Sequence, residues 1–149
     1  MELFQGPYNL DNYRRRIGME HAMVNTSSKI WVFWIKDWHG EVLSDTMQQL
    51  SIKFKHLGCQ KEIIISAVYV RCNALERLEL WEELELMAED VNIPWIVGGD
   101  CNVILHETEK LGGLSITHHE TTDFAQCISS CNLSEIKFTG SLYTCRMGE

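Results

Sequence analysis

The stretch EIIISAVYVRCNALERLELWEELELMAEDVNIPWIVGGD, Glu62 to Asp100, decides the fold. It opens with a continuous apolar run, Glu62–Tyr69, the pattern of a strand buried on both faces. Asn73 is placed to cap a helix, and from Ala74 to about Asp90 the residues Leu80, Trp81, Leu84, Met87 and Ala88, continued by Val91, recur at helical spacing. Glutamates occupy the other face, so the spacing predicts an amphipathic helix with a solvated acidic side. Pro94 stops it, Trp95–Val97 starts a second buried strand, and Gly98-Gly99-Asp100 predicts a break in that strand.

Outward from this unit, Lys29–Ile35 (KIWVFWI) is aromatic and β-branched and reads as a strand. A polar turn follows at His39-Gly40, and Thr46–His56 alternates as the neighbouring strand. Gly58 marks the next turn. On the C-terminal side, Glu120–Cys131 places Phe124, Cys127, Ile128 and Cys131 on one face of a helix. Leu133–Cys145, centred on Thr139-Gly140-Ser141, reads as a hairpin. No repeat, low-complexity tract or linker interrupts the chain, so one unit is expected. The order of elements is that of an α/β or layered α+β protein in which helices cover a sheet.

With 149 residues, 45% of them apolar, and five Trp, the chain can bury roughly 68–70% of its extended surface. The formal charge of −8 opposes non-specific, charge-driven binding to nucleic acid. That charge is uneven: residues 1–36 hold five Lys/Arg against three acids, whereas residues 76–110 hold ten acids against two bases. Six cysteines occur without a paired CxxC, which reads as reduced thiols. The N-terminus lacks the basic, apolar, small-residue order of a signal peptide, and no apolar run approaches the ~20 residues of a membrane helix. An intracellular protein, nuclear or cytoplasmic and not secreted, is the expectation.

A carboxylate just past the end of a buried strand is held rigidly yet faces solvent, and Asp100 occupies that position. The two glycines before it permit a sharp turn or a close approach. Asn102 lies two residues on, so an extended chain would point its amide to the same side as the carboxylate. A base beside a neutral donor suits phosphodiester hydrolysis, the carboxylate deprotonating water and the amide steadying phosphoryl oxygens. An Asx-type turn explains the same two residues equally well.

The segments YRRRIGMEHAMVNTSSKIWVFW, SAVYVRCNALERLELWEELELM, PWIVGGDCNVILHETEKLGG and DFAQCISSCNLSEIKFTGSLYTC resemble, in order and spacing, the endonuclease/exonuclease/phosphatase superfamily, most closely the endonuclease domain of plant LINE-type retrotransposons. The resemblance covers nearly the whole chain. It implies a DNase I-like four-layered α/β sandwich, with two mostly antiparallel sheets packed face to face and helices outside. It also implies hydrolysis of DNA phosphodiesters assisted by a divalent metal, commonly Mg2+. The family's GDFN motif falls on Gly99-Asp100-Cys101-Asn102, making Asp100 the water-activating residue and Asn102 the transition-state donor; both are possible partial metal ligands. Its YxP tyrosine, which contacts the scissile phosphate, falls on Tyr69, with Arg71 in place of the proline. Arg77 matches a recurrent arginine that pairs with phosphate or with nearby acids. Arg71 and Arg77 are thus the candidate substrate-binding residues.

Departures limit what the resemblance implies. Cys101 replaces a large apolar residue, and Cys145 replaces a tryptophan. The resemblance lacks the family's first strands, with their metal-binding Glu, and its closing segment, with an Asp-His pair. The expectation is therefore a single partial domain over residues 8–149, without a complete metal site, weakly active or inactive alone and prone to self-association. His106, Glu107, Glu109, His118 and His119 read as polar loop residues rather than substitute ligands, and zinc at Cys127 and Cys131 lacks the paired short spacings such sites show. Two other functions fit the sequence. One is a non-catalytic module presenting this fold to a protein partner, and the other is a phosphatase of the same superfamily.

Overall fold

The computed structural model describes residues 9–103, 110–111, 118–136 and 145–146. In chain order the elements are α1 (Leu10–Arg16), β1 (His21–Val24), β2 (Trp31–Trp34), β3 (Trp38–Asp45), β4 (Gln49–His56), β5 (Glu62–Tyr69), α2 (Ala74–Asp90), β6 (Trp95–Asp100), β7 (Lys110–Leu111), α3 (His118–Ser130) and β8 (Cys145–Arg146). The described residues form a mixed α/β structure. Contacts divide it into two compact units, the first built from the described residues up to Val70 with Val91–Asp100, the second from Arg71–Asp90 with the described residues from Cys101 onward.

The first unit is organised by a four-stranded sheet in the order β3-β4-β5-β6. β3, β4 and β5 pair antiparallel, whereas β6 joins β5 in parallel. A parallel neighbour needs a crossover connection, and the helix predicted from the leucine spacing supplies it as α2. Residues Gln49–Ile52 of β4 are buried on both faces, whereas Lys53, Lys55 and His56 are half-buried. Leu50, Ile52 and Phe54 alternate on one face and form a core with Ile30, against which Met23, Val32 and Trp34 of the β1–β2 hairpin pack. Each such buried side chain contributes about 1.5–3 kcal/mol relative to exposure.

The opposite face carries a polar contact inside the sheet. Ser51 and Ser66 face each other in register and are fully buried, with their hydroxyls 2.6 Å apart. The Trp95 indole N–H donates to the Ser66 hydroxyl at 2.9 Å, so one oxygen ties β4, β5 and β6 together. Replacing Ser66 with alanine leaves the Ser51 hydroxyl and the indole N–H without this partner. The variant is expected to lose about 2–3 kcal/mol in urea unfolding, and a loss near zero would show that neither group depends on it.

Two expectations are corrected here. The polar turn expected at His39-Gly40 lies instead at 35–37, closed by the Trp38 amide donating to the Ile35 carbonyl. His39 and Gly40 belong to β3, so the neighbour of β4 on this side is β3, not the Lys29–Ile35 strand. Gly40 is small because a Cβ there would meet Ile52, Phe54 and Trp34 side-chain atoms, each at 3.2 Å. A glycine that admits core side chains resembles a turn glycine in sequence. The predicted break at Gly98-Gly99 is likewise absent: β6 runs through both glycines to Asp100, paired with Ala67, Val68 and Tyr69.

In the second unit α2 buries Arg77, Leu80, Trp81 and Leu84 along one stripe. Asn73 caps it, its side-chain oxygen accepting the Leu75 N–H at 2.9 Å. Helix α3 packs on α2, with the Phe124 ring 5.0 Å from that of Trp81 and Cys127 and Cys131 buried. It ends in a Schellman motif: Leu133 N–H reaches the Ile128 carbonyl, Asn132 N–H reaches that of Ser129, and Asn132 takes a left-handed φ of 51°. The hairpin expected over Leu133–Cys145 falls largely outside the described residues. No described helix is long and apolar enough to cross a membrane.

Candidate functional site

Asp100 is the last residue of β6 and is exposed. Its register partner in the parallel pair is Tyr69, the last residue of β5. Residues directly opposite one another in a sheet project from the same face. Tyr69 packs against the core on the face that the β1–β2 hairpin covers, so register assigns Asp100 to that face too. The pairing is continued by the Val70 N–H donating to the Asp100 carbonyl at 2.8 Å. Two of the predicted catalytic residues thus end adjacent strands at the same level, at the carboxyl end where α/β sheets commonly present functional groups.

Gly99 makes this termination possible. Its φ is +147°, and a Cβ there would stand 2.0 Å from the Val68 carbonyl oxygen. Only glycine brings the β6 backbone this close to β5 immediately before the carboxylate.

Asn102 belongs to the second unit. The extended chain that would align its amide with Asp100 does not persist, since Asn102 is left-handed at φ 46°. Asn adopts this conformation more readily than most residues. Its carbonyl accepts a hydrogen bond from the Arg77 guanidinium at 3.0 Å, and a second Arg77 nitrogen donates to the Cys72 carbonyl at 3.2 Å. Arg77, only 3% exposed, therefore joins the segment before α2 to the loop after Asp100. The resemblance offers phosphate or acids as its partners; the backbone carbonyls it bonds are announced by no local spacing. Arg71 is exposed and pairs with Glu76, its Nε 3.5 Å from the carboxylate.

Residues 104–109 lie outside the described residues, and with them His106, Glu107 and Glu109. Side chains of His118 and His119 are likewise not described. Among the described residues no group of three or more His, Cys, Asp or Glu is placed to hold a metal ion. Magnesium is a hard cation that takes six oxygen donors at near-octahedral angles. It usually keeps several waters and is anchored by one or two carboxylates together with substrate phosphate, a part that Asp100 has the chemistry to fill.

Cys127 and Cys131, one helical turn apart, have sulfurs 4.0 Å from each other, and the Cys127 thiol also reaches the Trp81 carbonyl at 3.8 Å. Burial pushes the Cys127 thiol far above the ordinary thiol range, with the neighbouring Cys131 adding to it, and burial raises Cys131 as well. A raised pKa empties the thiolate, the reactive form, at neutral pH. Maleimide labelling at neutral pH is expected to modify the exposed Cys59 and Cys72 quickly, and Cys127 and Cys131 only after denaturation. Equal labelling of Cys127 and Cys59 in the folded protein would contradict the α2–α3 packing.

Compared with known proteins, the chain matches no family model, no curated protein sequence and no solved structure.

Proposed function

We propose that the chain carries the water-activating end of a phosphodiester hydrolase of the DNase I-like, LINE-endonuclease type. What supports this reading most is the register that sets exposed Asp100 beside Tyr69 at the carboxyl ends of β6 and β5. A carboxylate there accepts a proton from water as the water oxygen attacks phosphorus and the bond to the leaving oxygen breaks. The Tyr69 hydroxyl donates to a phosphoryl oxygen. Arg77, buried against the Asn102 carbonyl, positions that residue rather than touching phosphate. Arg71, exposed beside Glu76, is the candidate that the resemblance offers for DNA contact.

Magnesium, if bound with substrate, would supply charge neutralisation at the phosphate. Plasmid nicking in magnesium by the wild type and by Asp100→Ala tests the proposal, which expects weak nicking that the variant lacks.

A further inference from the structure

We infer that Lys29 contacts substrate phosphate at the Tyr69–Asp100 sheet end, an inference that rests on the phosphodiesterase reading of those two residues. Lys29 is exposed, and its ammonium group lies 5.3 Å from the centre of the Tyr69 ring. Tyr69 is the register partner of Asp100. The ammonium group thus lies by the ring whose backbone is paired with that of Asp100, at one end of β5 and β6.

The backbone that carries Lys29 is fixed there by a buried bracket. Asn25 is 2% exposed, and its side-chain oxygen accepts the N–H groups of Lys29 at 3.1 Å and Ile30 at 3.0 Å. Its amide nitrogen donates to the Thr46 carbonyl at 2.9 Å, tying the β1–β2 loop to the β3–β4 turn. The Thr26 N–H donates to the Asp45 carboxylate at 2.8 Å and ties the same two loops again. Ser28 takes a left-handed φ of 61°, and Ile30 is anchored in the core. The loop therefore presents Lys29 from a rigid base on the hairpin side of the sheet, the side that register assigns to Asp100.

Charge explains why a cation is needed at this corner. A phosphodiester carries a negative charge and must approach the Asp100 carboxylate in a chain of net charge −8. Other lysines of the sheet sit far from it: Lys53 pairs with Glu62, and both belong to the half of the strands away from Tyr69. An ammonium group beside the tyrosine offsets the repulsion and displaces a counterion from the bound backbone.

The test is binding of a short DNA duplex in EDTA, followed by fluorescence anisotropy across a salt series, for the wild type, Lys29→Gln and Lys29→Arg. Thermal melts of all three establish equal folding, as expected for an exposed side chain. Lys29→Gln is expected to bind about five- to tenfold more weakly at low salt, with the log–log salt slope reduced by about 1. Lys29→Arg retains affinity and slope. Wild-type affinity and slope in Lys29→Gln would overturn the inference, as would failure of the wild type to bind the duplex at low salt. Nicking by Asp100→Ala separates this from the reading it rests on. Loss of nicking there with an unaltered slope in Lys29→Gln removes Lys29 alone; a reduced slope with background nicking in wild type and Asp100→Ala alike removes the hydrolase and keeps the contact.

Discussion

Alanine at Gly99 is expected to cost about 3–5 kcal/mol, a large share of the roughly 5–15 kcal/mol that holds a domain of this size together. The new methyl group would lie 2.0 Å from the Val68 carbonyl oxygen, 2.9 Å from its carbon and 3.0 Å from the Val68 nitrogen. These are backbone atoms of a paired strand, so no rotamer change relieves the clash. The φ of +147° adds strain for any residue with a Cβ. Either β6 separates from β5 at the Val68–Gly99 pair, or the chain re-routes just before Asp100. Gly98 is the matched control, because a Cβ there meets nothing within 4 Å. Urea unfolding should place Gly98→Ala within about 1 kcal/mol of the wild type. Similar losses in both variants would contradict the close approach of β6 to β5.

The elements that sequence alone could assign are those whose periodicity is set by their own burial. Glu62–Tyr69 is largely apolar because β5 buries Ile64 and Val68 on one face and packs Ile63, Ala67 and Tyr69 against the core on the other, and Ala74–Asp90 shows its leucine stripe because one face of α2 is covered. Less legible was β3, an edge strand with exposed Val42 and Leu43, a bulge between Val42 and Ser44, and a glycine kept small for core side chains. The short hairpin strand His21–Val24 and the helix Leu10–Arg16 were not anticipated. α1 buries no residue fully, and a polar face held by Asp11 pairing with Arg14 and Arg15 leaves little apolar periodicity.

The strand-end position of Asp100 was legible from the apolar run before it, whereas Tyr69 rests on the resemblance alone. The hydrogen-bonding roles of Asn25 and Arg77 were not legible. Asn25 and Arg77 act by bonding to backbone carbonyls and amides up to 25 positions away in the chain, and such partners leave no trace in local spacing.

Asp100 carries the second large expected effect. A general base that accepts the proton of the attacking water typically contributes about 10²–10⁴ in rate. Its side chain is exposed, so removal should alter stability by no more than about 0.5 kcal/mol. Stability and activity are thereby expected to separate: Gly99→Ala loses both, whereas Asp100→Ala melts like the wild type and loses catalysis alone. Chelation provides the complementary arm, since a reaction that draws magnesium with its substrate stops in EDTA while the fold is retained.

The most direct measurement is the rate of supercoiled-plasmid nicking in magnesium by purified wild type and Asp100→Ala at equal concentration. Slow, EDTA-sensitive nicking is expected of the wild type, with a rate reduced at least about a hundredfold, or to background, in the variant. Equal rates in the two proteins would contradict the proposal.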